Sequence, residues 1–439
     1  MKMKKLIYMV SAFSLLAGIA VFGGQTSIVK AAGVEITEQN FGNDQSLLST
    51  IKFKDTNHDG ILSDEEAAAV TNLYFSSATN DISNVVKYFP NLSYVSVNTG
   101  DYDSLTINHN PIKSIAITAH KVVSLKGNHS ITKVFYDLYE MKGKADFSKT
   151  KGYEKVKEFF IYCSGATSVV APNQNKLTNL SIRGTKMSKI DMSKYKKLTT
   201  LNLSGNQLKS INVKKNSSLV SLACYNNKLT SLNISSNKKL KDIGIGDNKL
   251  TKIDTTKNSK LLRVVAYNNK IKSYSPVSNK KLTEINMTYN KLTKLDVTKN
   301  KDLRVLCISG NKIKQITLSK NKKLEIFNAG NTSLKKLSLA KSAKLSNISV
   351  GSNYKLLKNI KFKSNSSVGI AMKLSGTKEY RLTEILPALK GYTFSSSNEK
   401  ITIDEAGKLT MPSLTKKEYA SVMATNGNQT AYISLNSEY

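Results

Sequence analysis

The chain is short of the residues that most enzymes and stapled folds are built on. It has three cysteines and four histidines in 439 residues. With so few cysteines, an architecture of small loops held by several bridges is excluded. Cys224 falls at an inward position of a short strand and reads as a small core residue. Cys163 and Cys307 are expected outside the inward positions and far apart, so no disulfide is expected; a reactive thiol at Cys307 is the alternative. The histidines His58, His109, His120 and His129 show no metal-ligand spacing and no accompanying serine or cysteine motif. No glycine-rich phosphate loop or conspicuous carboxylate pair stands out, so a non-catalytic protein is expected. Beyond the first 22 or so residues, no apolar run is long enough to cross a bilayer. Acidic residues are scarce, with 31 Asp plus Glu against 66 Lys plus Arg.

What is present is a ladder. Leu177, Leu198, Leu219, Leu240, Leu261, Leu282, Leu303, Leu324 and Leu345 recur every 21 residues. A fixed period of 20 to 29 with this pattern marks a leucine-rich repeat solenoid, in which each unit adds one strand. In the unit LVSLACYNNKLTSLNISSNKK (219–239), Leu222 and Cys224 should point inward, and Ala223 and Tyr225 outward. One unit cannot bury its inner face, but stacked units share a continuous core.

Asparagines repeat in two further ladders. One comprises Asn206, Asn227, Asn248, Asn269, Asn290, Asn311 and Asn353; the other Asn216, Asn237, Asn258, Asn279, Asn300 and Asn321. An amide offers both donor and acceptor to turns whose backbone groups are hidden from water, so both ladders read as scaffold.

The register weakens at both ends. Upstream of Val156 the apolar clusters are irregularly spaced, and after Leu345 the pattern fades. Residues 1–31 carry Lys2, Lys4 and Lys5, an apolar stretch and small residues before Ala31, which reads as a secretory signal peptide. Residues 34–69 form a helical cap of EF-hand type. Its segment DTNHDGILSDEE fills D-x-[DN]-x-[DN]-G-x5-E throughout. Asp55, Asn57, Asp59, the Ile61 carbonyl, Ser63 through a water, and Glu66 would ligate one structural calcium ion. A loop that folds without metal is the alternative. The solenoid is expected over 70–365, irregular to 155 and regular over 156–345. Residues 366–439 alternate short strands and turns, as a small β-sandwich does.

The lysines gather at the corners between units, as in Lys196-Lys197, Lys214-Lys215, Lys238-Lys239, Lys280-Lys281 and Lys322-Lys323. They either keep a long solenoid soluble or attract an anionic wall polymer. They lack the interleaved aromatics of a nucleic-acid surface, and no nucleic acid is expected. The outward strand face carries few charges. Its aromatic and arginine residues Tyr225, Arg263, Tyr267 and Tyr289 are the candidate partner-binding cluster, since such residues dominate interface energetics. Alternatively, the tyrosines merely cover strand edges.

The units LTTLNLSGNQLKSINV (198–213) and LTEINMTYNKLTKLDV (282–297), behind a signal and a calcium-loop cap, resemble the internalin-like leucine-rich repeat proteins of Gram-positive bacteria. The run GYTFSSSNEKITIDEAGKLTM resembles bacterial immunoglobulin-like domains, with Phe394 where tryptophan is common. The resemblance covers nearly the whole mature chain and implies a monomeric, secreted or surface-associated binding protein for a protein or glycan, used in adhesion. The alternative is a structural protein held to teichoic acid or another polyanion by its lysines. No Leu-Pro-x-Thr-Gly sorting signal is found near Tyr439, so covalent wall anchorage is not expected.

Overall fold

Alternation of inward and outward residues gives each regular unit one short strand, and the 21-residue step lays each strand beside the last. Strands begin at Glu158, Asn179, Thr200, Ser221, Asp242, Arg263, Glu284, Val305, Ile326 and Asn347, each 21 residues after its predecessor. All pair in parallel. Leu201 faces Leu222, Leu222 faces Ile243, and the column continues through Val264, Ile285, Leu306 and Phe327 to Ile348. Each of these side chains is buried, so the core is a stack of like residues. The ladder leucines, from Leu177 to Leu324, are also buried beneath it. The chain thus forms a solenoid of leucine-rich repeat type.

This computed structural model describes residues 33–108, 111–340, 345–359, 368–372, 378–396, 401–411, 420–426 and 429–435. The signal segment 1–31 lies outside them.

The parallel sheet extends past both ends of the regular ladder. Upstream it takes in Asn72–Phe75, Tyr94–Gly100, Ser114–Ala119 and Lys133–Leu138 at uneven steps. Downstream it takes in Val368–Met372, with Ile370 buried opposite Ile348. Thr430–Leu435 then pairs in parallel with Val368–Met372, and Ala420–Thr425 and Thr393–Ser396 follow antiparallel. A second small sheet sets Lys408–Met411 between Lys378–Arg381 and Thr402–Ile403. The C-terminal strands therefore continue the solenoid's own sheet.

At the other end, the helix Gln45–Lys52 buries Leu47, Leu48 and Ile51. Asp44 caps this helix through Ser46 N and Leu47 N. It also accepts hydrogen bonds from Ser76 N, Ser76 Oγ and Ser77 N, just past the first parallel strand. One carboxylate thereby joins the cap to the solenoid.

The asparagine ladders hold the turns between units. Asn227 Oδ1 accepts from Leu208 N at 3.0 Å, and its Nδ2 donates to the carbonyls of Leu203, Cys224 and Tyr225. Asn248, Asn269, Asn290 and Asn311 repeat this bridge to the preceding unit. In the second ladder, Nδ2 of Asn237 donates to Val213 O and Asn216 O, and its neighbours do the same one unit on. The oxygens of this ladder are less well served. Oδ1 of Asn216, Asn237, Asn258, Asn300 and Asn321 is buried without a partner, whereas Asn279 Oδ1 receives the Thr255 hydroxyl at 2.7 Å.

The cysteine expectation needs one correction. Cys163 is wholly buried, following Phe159 and Ile161 inward at alternate positions. The strand Glu158–Tyr162 carries the alternation to its end, and Cys163 just past it follows into the core. The cysteines are free thiols, and Cys307 is half-buried on the outward side of its strand.

Candidate functional site on the outward strand face

A turn follows each regular strand, and it places one residue per unit in the left-handed backbone region. The residues are Gly184, Gly205, Asn226, Asp247, Asn268, Tyr289, Gly310 and Asn331, with φ from 49° to 72°. Glycine tolerates this conformation freely, and asparagine and aspartate reach it with modest strain. A bulky aromatic there is an outlier. Tyr289 holds φ at 52°, and its ring is 47% exposed.

The tyrosine rings lie on backbone bared by glycine. A Cβ added to Gly310 would stand 2.4 Å from the Tyr289 ring, and one on Gly184 would stand 2.2 Å from that of Tyr162. The middle of the ladder shows the same device doubled. Gly244 and Gly246 leave one unit without side chains at its two outward positions. Tyr225, one unit before, leans over Gly244, and Tyr267, one unit after, leans over Gly246. Their rings stack across the gap with centroids 6.0 Å apart and planes 27° apart. Aromatic cover over glycine stabilises a strand face, and offset stacking adds about 0.5–1.5 kcal/mol.

Charges frame this platform. Arg263 Nε sits 2.9 Å from Glu284 Oε2. This pair is exposed and contributes little to stability. Asn268 Nδ2 donates to Asp247 at 2.8 Å. Burial holds the Tyr225 phenol above its ordinary value; burial and the adjacent Asp247 do the same for Tyr267. Both hydroxyls therefore stay protonated near neutral pH and remain able to donate.

Of the four residues singled out in the sequence, the structure brings Tyr225, Tyr267 and Arg263 together. Tyr289 stands further along the same face, on its own glycine. Sequence reasoning missed a second aromatic group on this face, in the irregular units and the first regular one. Phe135 and Phe160 stack at 4.7 Å, with Lys133 Nζ 5.1 Å and 5.5 Å from their centroids. Tyr74 and Tyr94 meet edge to face at 6.0 Å. Tyr74 and Tyr162 are each 53% exposed. The signal was available for Tyr74, Phe135, Phe160 and Tyr162, because each follows a buried residue in an alternating strand: Leu73, Val134, Phe159 and Ile161.

The calcium-loop residues sit between the cap helix and the helix Asp64–Ala68. Asp55 Oδ2 accepts from Gly60 N at 2.9 Å, Asn57 Oδ1 from Asp59 N, and Asp59 Oδ1 from Ile61 N. Ser63 caps the second helix, and Glu66 completes the capping box. Glu66 Oε1 also takes Thr56 N and Oγ1, and these bonds hold its carboxyl at about 2. Among the described residues, no three His, Cys, Asp or Glu side chains are gathered in an arrangement that would hold a metal. The corner lysines are exposed. Lys194, Lys196 and Lys215 share a groove of about 760 Å³ with Ser148, Asn173, Gln174, Asn175 and Ser193. Among the described residues, no helix is long and apolar enough to cross a membrane.

A family model described as Leucine Rich repeat matches residues 196–210 and 225–246. The functional domain of InlJ from Listeria monocytogenes superposes with a TM-score of 0.53 at 18% identity, covering 93% of this chain and 99% of that one. The chain has a leucine-rich repeat fold similar to that of the InlJ domain. Other similar structures are a leucine-rich repeat protein of Leptospira interrogans and the L. monocytogenes internalin InlF. The first has 19% identity, a TM-score of 0.48 and coverage of 70% and 91%. The second has 18% identity, a TM-score of 0.45 and coverage of 72% and 93%. No curated protein matches the sequence. The InlJ domain includes a cysteine ladder. Here Cys163, Cys224 and Cys307 stand in separate, non-adjacent units.

Proposed function

We propose that this internalin-like solenoid is a non-catalytic binding protein, secreted or held at the cell surface. It engages a protein or glycan through the outward strand face around Tyr225, Arg263, Tyr267 and Tyr289. The observation that carries this reading is Tyr289. The scaffold needs only a residue at ease in the left-handed region there, and other units use glycine, asparagine or aspartate. Backbone strain kept at one unit, under a half-exposed ring, points to a role outside the fold. The stacked Tyr225 and Tyr267 rings supply a flat apolar surface with two phenolic donors. Arg263, Glu284 and Asp247 surround it with charge of both signs. Such a surface suits a sugar ring or an extended peptide.

Alanine substitution of Arg263 and Tyr267 together tests this. Partner binding should fall roughly thirtyfold, as loss of a hot spot of about 2 kcal/mol implies, while the fold survives with only stacking of about 0.5–1.5 kcal/mol lost, because neither side chain belongs to the core. Unchanged binding would reject the site.

The lysine-lined groove supports a second reading, retention on an anionic wall polymer. That binding would fall steeply as salt rises, since exposed charges are screened within about 8 Å at physiological ionic strength. Retention unaffected by salt would reject it.

A further inference from the structure

One buried polar atom in the cap is left over by the fold. Asp55 is 5% exposed, and its Oδ1 is buried without a partner. Its other oxygen is fixed by Gly60 N, which turns the carboxylate into the loop. An uncompensated buried carboxylate oxygen is costly, so a chain that keeps one has a use for it. The side-chain oxygens of Asn57, Asp59 and Glu66 have their partners inside the loop.

We propose that the loop Asp55–Glu66 binds one calcium ion, with Asp55 Oδ1 as its innermost ligand, and that the ion locks the cap onto the first strand of the solenoid. Calcium takes about six to eight oxygens at flexible angles, which Asp55, Asn57, Asp59, the Ile61 carbonyl and Glu66 with water can meet. The ion requires Glu66 to move. As it stands Glu66 is a clasp, with Oε1 on Thr56 and Oε2 on Ser63 N and Oγ. Calcium would draw this carboxylate from Thr56 toward Asp55 and leave the Ser63 cap on the helix in place. The consequence reaches the solenoid because the loop is built into it. Leu62 pairs with Val34 across a two-stranded sheet and is itself buried. The helix Gln45–Lys52 before the loop is held through Asp44 to Ser76 and Ser77. The helix Asp64–Ala68 after it leads within a few residues to the strand Asn72–Phe75. An ion at Asp55 therefore draws together two helices that flank the open end of the core.

The test uses the full chain, stripped with chelator, and calcium chloride as the probe. Titration calorimetry should give one site per chain, in the range of about 0.1–1 mM typical of extracellular modules, or tighter. Hydrogen exchange should slow on adding calcium across residues 44–76 and stay unchanged in the central ladder. Asp55→Asn should abolish both effects. If that variant fails to fold, Asp59→Ala decides the matter, because Asp59 is exposed and its loss spares the core. Asp59→Ala should weaken calcium binding at least tenfold while leaving the chelator-treated melting temperature unchanged. Absence of heat and of any exchange change at saturating calcium would overturn the proposal. So would calcium binding that survives in Asp59→Ala unchanged, or a response to magnesium and not to calcium.

Discussion

Thr255→Val removes a hydroxyl that serves the second asparagine ladder and also lies 3.4 Å from the buried Tyr274 hydroxyl. Thr255 is 1% exposed, and its hydroxyl donates to Asn279 Oδ1 at 2.7 Å. In the other units, the residue 24 positions before the asparagine is Met192, Val213, Ile234, Pro276 or Val297, and the amide oxygen has no partner. Replacing Thr255 with valine converts Asn279 to that state. Orphaning a buried acceptor costs about 1–3 kcal/mol. The added methyl returns about 0.8 kcal/mol. The net loss should be about 0.2–2 kcal/mol, a fall of up to roughly 4 °C in melting temperature for a unit of this size. The converse variant is Val297→Thr, which sets a hydroxyl against Asn321 Oδ1. Ordinarily, valine to threonine in a core is destabilising because the hydroxyl loses water. Val264→Thr, in the inward strand column, is the matching control. Urea titration of the three variants should find Val297→Thr at least about 1 kcal/mol more stable than Val264→Thr, from the hydrogen bond gained. Two results would refute the reasoning: Thr255→Val as stable as the parent, or Val297→Thr as damaging as Val264→Thr.

Gly244→Val would put a side chain into the Tyr225 ring, since a Cβ there meets it at 2.2 Å. It should lower stability by about 1–3 kcal/mol through overpacking, and near-ultraviolet dichroism should show the stacked tyrosines disturbed. Tyr289→Asn restores a residue at ease in the left-handed region. Thermal unfolding should stay within about 1 kcal/mol of the parent, because relieved strain offsets lost ring contact, while partner binding falls. Asp44 supplies a pH dependence. Burial raises its carboxyl value, but hydrogen bonds from Ser77, Ser76 and Leu47 outweigh it and bring the value below 3.8. A carboxylate depressed in the fold adds stability above its unfolded value, and that stability is lost as pH falls through the lower folded value. As pH falls from about 5 through that lowered value, the parent should therefore lose more melting temperature than Asp44→Asn. Equal slopes would remove Asp44 from the linkage between cap and solenoid.

The repeat itself was legible because a period-21 register leaves little freedom: Leu222, Ile243 and Val264 have one way to stack. The Asn227 ladder was equally readable, since turns hidden from water need an amide. The second ladder's orphaned oxygens were not, because nothing in the spacing of Asn237 or Asn300 tells which side of the amide is served. The outward face was read only from Asn202 onward, so Phe135, Phe160, Tyr74 and Tyr162 were passed over despite alternating strands. The platform at Gly244 and Gly246 also escaped notice. Two glycines in one strand look like weakness until the neighbouring tyrosines are seen lying across them. Cys163 was misplaced because counting by 21 sets it level with Gly184 and Gly205 at the turn, whereas its side chain follows Phe159 and Ile161 inward.

The account rests on specific recognition by the tyrosine-bearing strand face. The direct measurement is flow cytometry of labelled full chain on bacterial and mammalian cells, comparing the parent, Arg263→Ala/Tyr267→Ala, and a Lys194/Lys196/Lys215→Gln variant. The account predicts saturable binding to one cell type that persists at about 0.5 M salt, where the screening length is only a few ångströms. It should fall roughly thirtyfold in the tyrosine–arginine variant, as a hot spot of about 2 kcal/mol implies, and survive in the lysine variant. Parental binding by the tyrosine–arginine variant, or loss confined to the lysine variant and to high salt, would contradict it.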